Sequence, residues 1–409
     1  DRYHLAREHD VHLFEAGDHL GGHTHTHDIE SAGETHAIDT GFIVFNDRTY
    51  PNFMRLLDEM GVAYQPTEMS FSVRSDSSRL EYNGHSLNTL FAQRRNLVRP
   101  RFLRMIREIL RFNREAPADY EQGNAEVTLG EYLQSNGYSA EFINLYIIPM
   151  GAAIWSTDPV MMQQFPASFF IRFFYNHGLL DINNRPQWYV IQGGSKQYLK
   201  PMSKPYAAGI RLNTPVEWIS RFANGVRVHT SSHGAEIFDA VFIATHSNQA
   251  LSLLADPSAS ETEVLGGMQY QRNEAVLHTD TSVMPRRPLA WASWNYHIQA
   301  GQERVALTYD MNRLQGLDAS TRFLVTLNHH DAVDPDKVLK RLVYEHPLYT
   351  RDSVEAQARR HEISGVDRTF YCGAYWGNGF HEDGVVSALK ALEEFKEFEH
   401  ALMSLPRAG

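Results

Sequence analysis

The chain has 409 residues, of which 43% are hydrophobic and 21% charged, a globular composition too long for one small core. Its formal net charge of −11 argues against nucleic acid as the main partner, because phosphate recognition needs basic surface. The lone cysteine, Cys372, excludes an intramolecular disulfide and suits a reducing compartment.

No apolar run approaches the ~20 residues of a spanning helix. No signal peptide opens the chain, so the expected location is cytoplasmic.

Residues 1–9, "DRYHLAREH", read as the last turns of a helix. Val11–Phe14 follows as a short buried strand ending in an acid, Glu15. In a dinucleotide fold, an acid at the end of the second strand accepts hydrogen bonds from ribose hydroxyls. Gly21-Gly22 comes six residues later, where a bare backbone can approach a pyrophosphate. A G-x-G-x-x-G turn belongs about 20 residues before such an acid. The expectation is therefore that this sequence begins inside the domain.

His23, His25 and His27 alternate with threonines and could share one strand face as zinc ligands. A third or fourth ligand would have to come from a second His/Cys cluster, and the sequence shows none. No metal is expected; the stretch reads as the rim of a cofactor cradle.

Residues 90–115 hold eight arginines (94, 95, 99, 101, 104, 107, 111 and 114) against two glutamates. Phe102, Leu103, Ile106, Ile109 and Leu110 recur at helical spacing, which predicts an amphipathic helix with a basic face. Such a face either pairs with acids elsewhere or makes a peripheral contact with an anionic membrane.

Residues 41–51, 147–159, 163–178 and 289–297 are dense in Phe, Tyr, Trp and Met. They serve either as a second domain's core or as the lining of an apolar tunnel.

In the middle of the chain, Gly193-Gly194 precedes a helix. Three strands are expected at 210–219, 225–230 and 238–245, the first two joined at Ala223-Asn224-Gly225. The segment 270–285 contains no lysine. Arg368–Phe395 reads as a strand, a glycine-punctuated loop and a helix starting near Gly384. The free N–H groups at that helix start would face an electron-rich group.

Taken together, "LFEAGDHLGGHTHT", "QGGSKQYL", "VFIATHS" and "YCGAYWGNGFHEDGVVSALKA" resemble the FAD-dependent amine oxidase and phytoene desaturase superfamily, the glutathione-reductase-like flavoproteins. The likeness is closest to bacterial members described only as NAD/FAD-binding proteins, and it spans nearly the whole chain. It implies an α/β fold with FAD as cofactor. A discontinuous Rossmann-like FAD-binding domain (1–75, 190–262 and 366–409) would carry an α+β substrate domain (76–189 and 263–365).

By the same resemblance, Glu15 would bind the ribose and Gly21 and Gly22 would lie against the pyrophosphate. His23 stands where an arginine is usual. The backbone of Val216 would hold the adenine edge. Gly373, Asp383 and Gly384 would meet the flavin, while the acid that often binds the ribityl chain falls near Ala374, which cannot do so.

An amine oxidase would also place a lysine near flavin N5 and a tyrosine where His381 stands. Both departures point away from amines. His381 and Tyr375 are the candidate catalytic residues, with Glu382 expected to cap the helix. The expected activity is an FAD-dependent oxidoreductase of desaturase, isomerase or oxidase type, acting on an apolar, lipid-like or polyene substrate. A flavin amine oxidase is the alternative. A non-catalytic chain that does not hold the cofactor is the alternative from another class.

Overall fold

The computed structural model describes residues 5–299, 301 and 304–404. Strand Leu13–Phe14 pairs in parallel with Ile210–Arg211, and Glu15 extends the ladder by donating its N–H to the Arg211 carbonyl at 2.9 Å. A second parallel pair joins Val241–Ile243 to Thr369–Tyr371.

A Rossmann-like domain would place 11–15 and 368–373 in one parallel hydrogen-bonded sheet; here they lie in two separate two-stranded sheets. The two pairs meet through side chains instead. Phe14 packs with Ile243 and Tyr371 on one face, and Val11 with Phe242 and Phe370 on the other. Alternation of side chains along a strand produces this two-faced packing. The C-terminal helix His381–Ser404 covers the second face with Ala391, Leu392 and Phe395.

The strand expected over 210–219 divides. Asn213 has a φ of +50° and Pro215 lacks an N–H, so the ladder breaks there. The chain re-enters as a three-stranded antiparallel sheet, Val216–Phe222, Gly225–Thr230 and Gly234–Phe238. Phe222 pairs with Gly225 across Ala223-Asn224, as the turn residues predict. The strand expected over 238–245 shortens to Val241–Ile243.

The other large element is a seven-stranded mixed sheet. Its order is 338–348, 269–278, 324–327, 307–310, 294–298, 71–75 and 80–83. Phe71–Ser75 departs from the domain division given above, because it pairs in parallel with Trp294–Ile298 in this sheet.

Helices pack on the sheet through one large core. Helix Pro100–Glu121 buries Phe102, Met105, Phe112 and Ala116, a three-and-four spacing that makes one apolar face. Helix Ala167–Asn176 adds Phe170 and Phe174, which stack at 4.1 Å.

The basic segment expected as one helix is three pieces: Leu87–Leu90, Arg94–Val98 and Pro100–Glu121. Its arginines largely find protein partners. Arg104 pairs with Glu108, Arg111 and Arg114 with Glu115, and Arg101 with Glu141. No helix among the described residues is long and apolar enough to cross a membrane.

Candidate functional site

The cradle is built where the strand ending in Glu15 meets the loop to Thr26. The Glu15 carboxylate accepts the Gly17 N–H at 2.8 Å, which holds it at the strand's end. The Glu15 carbonyl accepts the Thr214 N–H at 2.8 Å, so Val216 follows immediately beside it.

Gly21 has a φ of +113°, and a Cβ there would lie 2.6 Å from the Thr24 carbonyl. Gly22 has a φ of +57° and nothing within 4 Å of its Cβ position. One glycine is demanded by the protein's own packing. The other faces open space, where a phosphate could approach bare backbone.

Asp39, which sequence reasoning missed, fastens this cradle to the Gly193-Gly194-Ser195 turn. Its carboxylate accepts the Ser195 N–H (2.9 Å) and hydroxyl (2.7 Å), the Thr26 hydroxyl (2.5 Å) and the Gln315 amide (3.1 Å). Gly194 approaches so closely that a Cβ would sit 2.5 Å from Thr26 Cγ2. Burial pushes the Asp39 carboxyl up to about 6. The available signal was an acid closing an apolar strand just before a glycine, "AIDTG".

Beyond the cradle opens a cavity of about 920 Å³, within the range of small-molecule sites. Its inner end is formed by His23, Phe42, Gly379, Phe380 and His381, and its walls include Trp155, Phe173, Trp294, Tyr309 and Tyr344. Toward solvent it is bordered by Leu87 (76% exposed), Ile182 (58%), Leu110 (49%) and Arg185. The aromatic segments thus serve both readings. Phe170 and Phe174 are core, whereas Phe173, Trp155 and Trp294 line the cavity.

The inner end is polar but uncharged. His381 lies flat on Phe42, with ring centroids 3.5 Å apart at 11°. Its Nε2 sits 2.9 Å from the Tyr198 hydroxyl and 3.1 Å from Thr24 Oγ1, and those two hydroxyls bond each other. Burial holds the His381 ring down at about 3, with nearby His23 adding to the shift.

His23 lies close to the rings of His246, His346 and Tyr344 and is held at about 4, first by burial. His346 is held at about 3, again by burial first. The Asn273 amide stands 2.9 Å from His346 Nδ1 and donates to the Ser156 carbonyl at 3.0 Å. His23 is therefore a neutral cavity wall and supplies no cation.

His25 stacks on His19 at 4.1 Å instead, and His27 meets His25 at 4.1 Å with its ring tilted by 49°. Among the described residues, no group of three or more His, Cys, Asp or Glu could hold a metal.

The C-terminal loop corrects several expectations. The helix starts at His381, not Gly384, and the Gly384 N–H is already bonded to the Phe380 carbonyl at 3.1 Å. The free N–H groups of the first turn belong to the residues before it. Asp383 accepts the Phe380 N–H at 2.9 Å, capping its own helix, and burial raises its carboxyl to about 6.

Glu382 is a cap, but of another helix: it accepts the N–H groups of Asn52 (3.1 Å) and Phe53 (2.9 Å) at the start of Pro51–Glu59. Tyr375 is buried in a core cluster with Met268 and Ala356 and does not line the cavity. Gly373 is a glycine because a Cβ would lie 2.4 Å from the Tyr375 ring. These two residues pack on each other.

The residues present fit an FAD in the cradle: a carboxylate at the strand end, an open glycine at Gly22, and a helix start whose loop borders the cavity. A profile described as flavin-containing amine oxidoreductase matches residues 3–286. No curated protein matches.

Similar solved structures include a CLA-producing fatty acid isomerase from P. acnes, with 15% identity, TM-score 0.65, and 96% of this chain and 95% of that one covered. Cyclohexylamine oxidase from Brevibacterium oxydans IH-35A shows 14% identity and TM-score 0.66 over 97% and 95%. Wild-type putrescine oxidase bound to putrescine shows 15% identity and TM-score 0.64 over 97% and 95%. At these identities the likeness is one of fold.

Proposed function

The chain belongs to the flavin-containing amine oxidoreductase family and is an FAD-dependent oxidoreductase, and from that premise we propose that it acts on a long apolar chain rather than on an amine. The observation that carries the reading is the cavity of about 920 Å³, walled by aromatic and aliphatic side chains and closed by neutral histidines. No lysine of the described residues lines it. A protonated amine moving to its inner end would give up its hydration for an uncharged wall, a costly exchange. An acyl or polyene chain gains free energy by the same move.

In this reading Glu15 binds the ribose, Gly21 and Gly22 border the pyrophosphate, and the Val216 backbone meets the adenine. The first-turn N–H groups of helix His381–Ser404 would face the flavin. Bound FAD supplies the capacity to accept hydride from a C–H bond. The chain's own part is to orient the substrate against Trp155, Trp294 and Phe380, to exclude water, and to keep His381 and His346 unprotonated. With those rings neutral, no fixed positive charge competes for the electrons that leave the substrate.

The reading is tested by incubating FAD-loaded protein separately with linoleic acid, a carotenoid polyene, cyclohexylamine and putrescine, then identifying products by mass spectrometry. A double-bond shift or new unsaturation in an apolar chain is expected. Aldehyde or ketone from the amines, with both apolar chains unchanged, would overturn it.

A further inference from the structure

We propose that the substrate is amphipathic, and that Arg185 holds its carboxylate head at the cavity mouth while the apolar tail runs inward toward His381. This rests on the apolar-chain reading above and adds the head group, the orientation and the residue that reads it.

Arg185 is the one arginine or lysine among the described residues lining the cavity. It stands with Ile182 on an exposed loop, whereas the inner histidines are neutral. The lining therefore has a fixed positive charge at one end and none at the other.

Some arginines of this chain are neutralised by a carboxylate, whereas others, Arg48, Arg94 and Arg368 among them, bond only carbonyl or amide oxygens. Arg111, Arg211, Arg221, Arg322 and Arg360 each bond a carboxylate. Arg185 donates its Nε to the Asp181 carbonyl at 3.0 Å, and no carboxylate of the described residues pairs with it. Its two terminal amino groups are left in the planar fork that matches a carboxylate in two parallel hydrogen bonds.

The loop is braced from behind. Arg48 donates to the Asn184 carbonyl at 2.9 Å and to its side chain at 3.2 Å. The Asp47 carboxylate accepts the Gln187 N–H at 3.1 Å. Arg185 is thereby placed before any ligand arrives, which lowers the ordering cost of binding.

The opposite polarity is disfavoured. A cationic head would meet Arg185, and Glu68, a lining carboxylate, already has Arg313 at 3.8 Å and the Ser70 hydroxyl at 2.6 Å. With the head anchored outside, the bonds presented to the inner end lie along the tail. Reaction alpha to the head is excluded by the same geometry.

A lipid phosphate shares this chemistry with a free fatty acid, so the experiment separates the two. FAD-loaded protein is titrated with cis-parinaric acid, whose fluorescence reports burial, and the probe is displaced with stearic acid or stearyl alcohol. The acid is expected to displace at a concentration about tenfold or more below the alcohol, the scale of a charged hydrogen bond. Arg185→Gln should abolish that preference while leaving the alcohol's affinity unchanged, and Arg185→Lys should restore part of it.

Equal displacement by acid and alcohol in the wild type, or a preference that survives Arg185→Gln, overturns the assignment. Co-sedimentation with phosphatidylglycerol vesicles that Arg185→Gln abolishes, with the acid preference unchanged, overturns the carboxylate in favour of a lipid phosphate. Failure of the probe, the acid and the alcohol all to bind would instead refute the apolar-chain reading beneath it.

Discussion

His381 lies parallel on Phe42 at 3.5 Å between ring centroids, so one face of the imidazole is spent on packing while its Nε2 edge meets Tyr198 and Thr24. A ring held at about 3 by burial is a poor proton acceptor at neutral pH, and its geometry is that of a positioning residue. His381→Phe should keep the stack and leave Tyr198 bonded to Thr24, so fold and FAD retention survive. The expected fall in kcat is below the ~10²-fold typical of losing a general acid or base, with kcat flat from about pH 5 to 8. His381→Ala should destabilise the protein by about 3 kcal/mol, the scale of emptying an aromatic site. A steep kcat–pH profile that His381→Phe flattens would show proton transfer instead.

The buried titratable groups set the pH dependence of stability. His23, His346 and His381 sit at about 3 to 4 in the folded protein against ~6.5 unfolded, so between these values the unfolded chain binds more protons. Their stabilisation is present above pH ~6.5 and is lost as pH falls toward 3 to 4. Asp39 and Asp383, raised to about 6, act in the opposite sense between ~4 and 6. His25, His177, His278 and His329, also held at about 4, act with the three histidines. Proton uptake on unfolding thus outweighs the two aspartates, and each proton in excess is worth about 1.4 kcal/mol per pH unit. Urea midpoints of the FAD-loaded protein should therefore fall from pH 6 to pH 4. A midpoint that rises on acidification would contradict the balance.

The two glycines of the cradle should separate on substitution. Gly21→Ala places a Cβ 2.6 Å from the Thr24 carbonyl at a φ of +113° and should damage folding itself. Gly22→Ala meets no protein atom within 4 Å and should cost only the ~1–2 kcal/mol of a left-handed residue. It should nonetheless weaken FAD binding, because its methyl projects where the phosphates would lie. Isothermal titration with FAD, beside thermal melts of the apoproteins, distinguishes the two.

Glu15→Ala should lower FAD affinity by about 1.5–3 kcal/mol, the scale of hydrogen bonds to a charged group. An unchanged affinity would remove Glu15 from the ribose site.

How far the site was legible depends on how local its parts are. Glu15, Gly21 and Gly22 lie within eight consecutive residues, and their order alone exposes the cradle. The last helix starts at His381, three residues before the boundary that Gly384 suggests. The acids Glu382 and Asp383 are the usual residues of a first turn.

The inner end was not legible. Tyr198 is 174 positions from Thr24 and 183 from His381, and only the tertiary fold brings the three together. Asn273 and His346 meet across two strands of the seven-stranded sheet for the same reason. Tyr375 lies in the right loop, but its ring turns onto Gly373 and the core, which sequence proximity to His381 cannot reveal.

The most direct test of an apolar substrate is anaerobic stopped-flow absorbance of the FAD-loaded protein, following the flavin's visible band after mixing. Linoleic acid should perturb or bleach the band within the time of turnover, and cyclohexylamine and putrescine should leave it unchanged. Rapid bleaching by either amine, at rates within the usual enzymatic range of about 1–10³ s⁻¹ and with no response to linoleic acid, would contradict the account.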